Sequence, residues 1–164
     1  MRTVSLIIVL SLVGVGTART AAESPAPIVR CEKIIGGEGA ASARARRVVL
    51  DAVSIPAYLP QTVETQDRAW PYWSKTGLVI RAGAPQVTIS VPVAWRKRAA
   101  ITWGNTGAVG ALRVASCPQY GSNWNAYAGG FLLRSRSACM PLVIRVGQRT
   151  ATARFGVGRR CAAG

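Results

Sequence analysis

Two runs of alternating residues flank Gly147-Gln148, and they restrict the fold of this chain more than any other stretch. Before the glycine, Leu142, Ile144 and Val146 alternate with Val143 and Arg145. After it, Ala151, Ala153, Phe155 and Val157 alternate with Thr152, Arg154 and Gly156. A period of two places each set on one face of an extended strand. Glycine in the first position of a two-residue loop suits the hairpin turn whose twist matches its strands. That register sets Ile144 opposite Ala151 and Leu142 opposite Ala153, so both apolar rows fall on one side of a β-hairpin.

Val87–Val93 reads in the same way. Val87, Ile89, Val91 and Val93 share one face, with Thr88, Ser90 and Pro92 on the other. Pro92 cannot donate to a ladder, so that end lies at an edge or leaves the sheet. Weaker strands are expected at Val48–Ile55, Gly77–Ala82, Ala99–Trp103, Leu112–Cys117 and Tyr127–Arg134. In the last, Gly129-Gly130 marks a bulge or a close backbone approach. No segment carries a helical period and no internal repeat is present. About eight short strands with Gly and Pro punctuation predict an all-β fold: an antiparallel Greek-key β-sandwich of immunoglobulin-like type. A small closed β-barrel is the alternative.

Residues 1–22 read as a signal peptide. Met1-Arg2 gives a positive start, Val4 to Gly16 is apolar apart from Ser5 and Ser11, and small residues lead to a cleavage point after Ala18 or, preferably, Ala22. Residues 23–47 mix Pro25, Pro27, Gly36, Gly37 and Gly39 and end in Arg44-Ala45-Arg46-Arg47, the texture of a flexible N-terminal segment. Residues 48–164 are expected to form a single β domain. Export suits Cys31, Cys117, Cys139 and Cys161 as two disulfides. A zinc site would need close C-x-x-C pairs or histidines, and neither exists. Pairing Cys31 with Cys161 and Cys117 with Cys139 ties the chain ends together and is slightly preferred. The alternative joins Cys31 to Cys117 and Cys139 to Cys161.

The charge is one-sided. The chain holds 21 Lys and Arg against six Asp and Glu, and it has no histidine. From Arg68 to Gly164 there are 14 basic residues and no carboxylate. Such a balance favours an anionic polymer or an acidic protein surface as partner. Export argues against nucleic acid. Arginine outnumbers lysine 18 to 3, an excess that GC-rich codon usage also produces.

The same composition removes most chemistry. General acid–base and nucleophilic catalysis lack histidine, and glycosidase chemistry needs two facing carboxylates. Only Asp51, Glu64 and Asp67 are available beyond the N-terminal segment. No metal, no nucleotide cofactor and no other cofactor is expected. Gly104–Gly110 neither opens a helix nor carries the Lys-Ser/Thr of a phosphate loop; it reads as the link between strands ending at Trp103 and starting at Ala111. Lys33-Ile34-Ile35-Gly36-Gly37 resembles the activation site of trypsin-like serine proteases, but the histidine base of that family is missing.

Aromatic residues beside cations are the remaining signal. Trp70-Pro71-Tyr72-Trp73 sets three rings within four residues, and Trp95 adjoins Arg96-Lys97-Arg98. Rings beside guanidinium groups grip sugar faces and acidic groups; burial in the core is the competing use of the same rings. The candidate binding residues are therefore Trp95, Arg96, Lys97, Arg98, Trp70, Tyr72 and Trp73, with Trp95–Arg98 expected on an exposed loop.

The strings Trp70-Pro-Tyr-Trp73-Ser-Lys75, Val91-Pro-Val-Ala-Trp95-Arg96, Tyr127-Ala-Gly-Gly-Phe131 and Phe155-Gly-Val-Gly158 with Cys161 resemble small secreted proteins of unassigned function from GC-rich actinobacterial genomes. The resemblance covers most of residues 48–161. It implies an exported two-disulfide design and brings no activity or site. The reading that follows is a secreted, non-catalytic module binding an anionic cell-envelope or extracellular polymer. A protein-interaction module (an inhibitor or accessory subunit recognising through Trp70–Lys75 and Pro118–Asn123) is one alternative. An enzyme using a carboxylate from residues 51–67 is the other.

Overall fold

The computed structural model of the protein describes residues 25–39, 42–43 and 46–162. The expected signal peptide and Arg44-Ala45 of the basic run lie outside them. Along the described chain the strands are β1 (Ile28–Val29), β2 (Ile34–Glu38), β3 (Arg47–Val49), β4 (Val53–Ile55), β5 (Tyr58–Leu59), β6 (Val63–Glu64), β7 (Tyr72–Lys75) and β8 (Leu78–Arg81). They continue as β9 (Val87–Ser90), β10 (Ala99–Trp103), β11 (Ala111–Val114), β12 (Trp124–Tyr127), β13 (Gly129–Leu133), β14 (Ala138–Val146) and β15 (Arg149–Val157).

The protein is all-β, in three sheets ordered β1-β11-β9-β14-β15-β5, β10-β13-β7-β6 and β2-β12-β8-β4-β3. None of them closes into a barrel, and there are three where a sandwich has two. Pairing is antiparallel except at two edges, where β1 joins β11 and β5 joins β15 in parallel. Both edge strands are two residues long and arrive from distant segments instead of through a hairpin.

The hairpin at Gly147-Gln148 forms in the expected register, with Leu142 opposite Ala153 and Ile144 opposite Ala151. Gly147 has the left-handed φ of +57° that the first loop position requires. Every second residue of β14, from Ala138 to Val146, is buried.

Other expectations need correction. Val48–Ile55 is not one strand but the β3–β4 hairpin, turned at residues 50–52 with Leu50 at φ 52° and Asp51 at φ 57°. No Gly or Pro marks that turn, so composition concealed it. Val93 does not continue the apolar face of β9: the chain leaves the sheet at Pro92, enters a 3-10 turn over Val93–Trp95, and exposes Val93 to 74%. Nor is the segment before Val48 merely a tether. β1 pairs with β11, and β2 lies along β12 with Glu38 opposite Trp124 and Gly37 opposite Asn125. Backbone pairing at an edge asks for no side-chain alternation, which is why the composition looked like a linker.

The disulfides are Cys31–Cys117 and Cys139–Cys161, the alternative pairing and not the preferred one. The reason is strand pairing. β1 beside β11 carries Cys31 to the end of β11, while Cys139 sits opposite Gly156 in the β14–β15 ladder. The turn after Val157, with Gly158 at φ +66°, then brings Cys161 back to it.

One core joins the inner faces of all three sheets. Phe131 of β13 stacks on Phe155 of β15 with centroids 6.3 Å apart, and Trp103 of β10 meets Phe131 edge-on at 5.4 Å. The Trp103 indole N–H donates to the Thr76 carbonyl at 2.9 Å, which satisfies the polar handle of a buried ring. A smaller cluster of Ala43, Val79 and Trp124 packs separately. With its inner face committed to the core, the β10-β13-β7-β6 sheet presents its other face outward.

Candidate functional site

Alternation along β7 separates the aromatic string. Tyr72 and Ser74 point inward, Ser74 being buried and Tyr72 packing on the core. Trp73 and Lys75 point outward, level with Leu132 and Gly130 of β13. The register continues from Leu132 to Ala100 and from Gly130 to Thr102 on β10. On the other flank Val63 of β6 stands opposite Trp73 and is 54% exposed. Trp73 and its two aromatic neighbours are all half-buried, so each serves both packing and surface.

At one end of this sheet the chain gathers arginines over rings. The Arg134 N–H donates to the Arg98 carbonyl at 3.0 Å, extending the β13–β10 ladder by one residue. The Arg98 guanidinium lies 4.1 Å from the Trp95 ring centre, Arg134 lies 5.8 Å from Trp70, and Arg136 lies 5.6 Å from Tyr72. Stacking holds a guanidinium by its face and leaves the in-plane N–H fork free for an anion. Arg136 forms an ion pair with Glu64, both side chains being exposed. No carboxylate of the described residues pairs with Arg98 or Arg134. Three further arginine–ring pairs lie elsewhere: Arg81 on Trp124, Arg47 on Phe155 and Arg160 on Tyr58.

Trp95–Arg98 is thus only partly the exposed loop expected from sequence. Trp95 closes the 3-10 turn and packs against the core. Arg96 is half-buried, donates through Nε to the Val91 carbonyl at 3.2 Å and rests its stem on Gly110. Lys97 and Arg98 are exposed. Proline at 92 ends the strand, and the core takes the indole that follows. Sequence reasoning missed Arg134 and Arg136 because no ring adjoins them in the Leu133-Arg134-Ser135-Arg136-Ser137 run, and they gain ring partners only through the fold.

Beside the arginine end a groove of about 490 Å3 opens on the outward face. Trp73, Leu132 and Gly129 lie along it, the Asn105–Ala108 loop flanks it, and Thr65, Asp67, Lys75 and Thr102 supply its polar groups. Two glycines let the strands beneath it approach closely. A Cβ at Gly129 would strike the Thr102 carbonyl, and one at Gly130 would strike the Ser74 carbonyl and press on the Trp73 indole. The close backbone approach expected at Gly129-Gly130 is therefore present. Gly104–Gly110 links β10 to β11 as expected, but its role as a groove wall left no mark in the sequence.

The three available acids are dispersed. Asp51 sits on the β3–β4 turn, 82% exposed and 3.7 Å from Arg149. Glu64 is engaged with Arg136 on β6. Asp67 Oδ1 accepts the Ala69 N–H at 2.7 Å and the Trp70 N–H at 3.4 Å, closing the loop that carries Trp70. In the Pro118–Asn123 loop, Tyr120 is exposed, while Asn125 holds the loop through the Tyr120 N–H and the Pro118 carbonyl. The class defined by this architecture is an all-β protein stapled by two disulfides. No protein-family model matches the chain, and neither a curated protein nor a solved structure shows significant similarity to it.

Proposed function

We propose that the protein is an exported, non-catalytic module that holds an anionic cell-envelope or extracellular polymer at the arginine end of the β10-β13-β7-β6 sheet. The observation that carries the reading is the pair of stacked guanidinium groups without a carboxylate partner among the described residues, Arg98 on Trp95 and Arg134 on Trp70, with Arg136 on Tyr72 nearby and already paired with Glu64. A ring beneath each arginine limits its motion before binding, which lowers the entropy cost of ordering it on a ligand. Lys97 adds an exposed charge beside Arg98. Two disulfides accord with an oxidising compartment, and among the described residues no helix is long and apolar enough to cross a membrane. We read the three sheets as an immunoglobulin-like Greek-key sandwich with a third, split-off layer. Support comes from the chain's repeated passage between sheets, as from β9 to β10 and back to β11.

The test is binding to immobilised polygalacturonate and to polyphosphate at low and high salt. The wild-type chain binds at low salt and releases steeply as salt rises. Replacing Arg98, Arg134 and Arg136 together by Gln lowers the affinity at least about tenfold, since each charge-assisted contact contributes roughly 1 kcal/mol or more. Absence of binding at low salt, or full retention by the triple variant, overturns the proposal.

A further inference from the structure

The groove beside Trp73 carries a more specific assignment: we infer that it seats a sugar ring, so the polymer held at the arginine end is an acidic polysaccharide bearing uronate carboxylates. The inference rests on anionic-polymer binding at that end.

A phosphate chain presents only charged acceptor oxygens and has no apolar face to stack. A pyranose presents a flat C–H face and a rim of hydroxyls, so its site needs an apolar platform edged with donors and acceptors. The groove has both. Trp73 and Leu132 form the platform, and the missing Cβ of Gly130 lets the indole lie along the sheet, its Nε1 only 3.0 Å from where that atom would stand. At the edge, the Thr65 hydroxyl is fixed by donating to the Trp70 carbonyl at 2.6 Å and accepting the Asp67 N–H at 3.2 Å. Asn105 is exposed, held at a left-handed φ of 62° next to Gly104. Lys75 is exposed with no carboxylate partner among the described residues.

Charge and continuity favour a uronate chain over a neutral one. Lys75 stands on the groove, and two residues beyond Leu132 on the same strand run is Arg134, beside Arg98. A chain lying over Trp73 therefore meets cations on either side of the ring it stacks. Asp67 is the only carboxylate lining the groove among the described residues. With Oδ1 occupied by the Ala69 and Trp70 amides, its other oxygen is left to accept from a sugar hydroxyl, a donor that a phosphate chain lacks.

Titration of the full chain with hexagalacturonate, a polyphosphate of matched charge and cellohexaose separates the cases, read by calorimetry and indole fluorescence. Hexagalacturonate is expected to bind at least about tenfold more tightly than either of the others. Trp73→Ala is expected to weaken hexagalacturonate about tenfold, as for loss of one stacked ring, and to leave polyphosphate unchanged. Because Trp73 also covers Gly130, Asn105→Ala provides the same test from an exposed position, with a several-fold loss confined to the saccharide, whereas Lys75→Gln removes a cation and weakens both polyanions. Equal losses for both polyanions in Trp73→Ala and Asn105→Ala, tightest binding of cellohexaose, or indifference of hexagalacturonate to all three variants overturns the sugar assignment alone. Failure of both polyanions to bind overturns the arginine-end reading as well.

Discussion

Two buried side-chain polar atoms among the described residues lack a hydrogen-bond partner: the Tyr127 hydroxyl and Arg46 Nε. The guanidinium of Arg46 is compensated by Glu38 at 3.1 Å and by the Gly77 carbonyl, yet burial still draws its pKa below the ordinary value. Tyr127 has no such compensation, and burial pushes its phenol from 10.0 up to about 12. The unfolded chain releases that proton first. Stability associated with the neutral phenol is therefore complete below pH 10 and declines between pH 10 and 12, by about 1.4 kcal/mol per unit. Tyr127→Phe is expected to abolish this slope and to change stability at pH 7 by less than about 1 kcal/mol, because it removes an unpaired hydroxyl and little volume. Urea titrations of both proteins at neutral and alkaline pH check it, and parallel pH dependences would contradict it. Gly129→Ala belongs to the same scale. The new Cβ meets the Thr102 carbonyl, so unfolding should become easier by about 1–3 kcal/mol, as for other overpacked sites. The sequence marked Gly129-Gly130 as a bulge or a close backbone approach; the carbonyls that demand glycine there come from β7 and β10, remote in the chain.

At the scale of elements, pairing decides more than pattern. Each run between β9 and β13 switches sheets, so the Trp124–Leu133 stretch serves first the β2-β12-β8-β4-β3 sheet and then its neighbour. The two disulfides follow those pairings. Cys31–Cys117 closes a separation of 86 residues and Cys139–Cys161 one of 22. Loop entropy alone makes the first worth about 4.6 kcal/mol and the second about 3.4 kcal/mol. Replacing each pair by alanine should rank in that order in chemical denaturation. The reverse order would show that the Cys139–Cys161 link constrains more than a local loop. The β14–β15 hairpin was legible because turn and alternation agree locally. The β3–β4 hairpin was not, because Leu50 and Asp51 adopt left-handed geometry without glycine, and long-range contacts, pairing with β8 and the Arg149 hydrogen bond to the Leu50 carbonyl, compensate that strain.

At the scale of the molecule, net charge opposes compactness. Of the 14 cations after Asp67, Arg136 and Arg149 reach acids earlier in the chain, while the rest repel one another and draw in counter-ions or a polyanion. Raising salt from roughly 10 to 200 mM shortens the Debye length from about 30 to about 7 Å. The thermal midpoint is expected to rise over that range while polyanion affinity falls; a falling midpoint would place net attraction among these charges. The sequence by itself determined the all-β class, the central hairpin and its register, the oxidised cysteines and the scarcity of proton-transfer groups, since these follow from local periodicity and composition. The tertiary structure alone decided which cysteines meet, which arginines find rings, that Tyr72 turns inward while Trp73 turns outward, and that a glycine link becomes a wall. Those outcomes depend on long-range backbone pairing, whose hydrogen bonds are the same for every residue type and so leave little trace in the side chains.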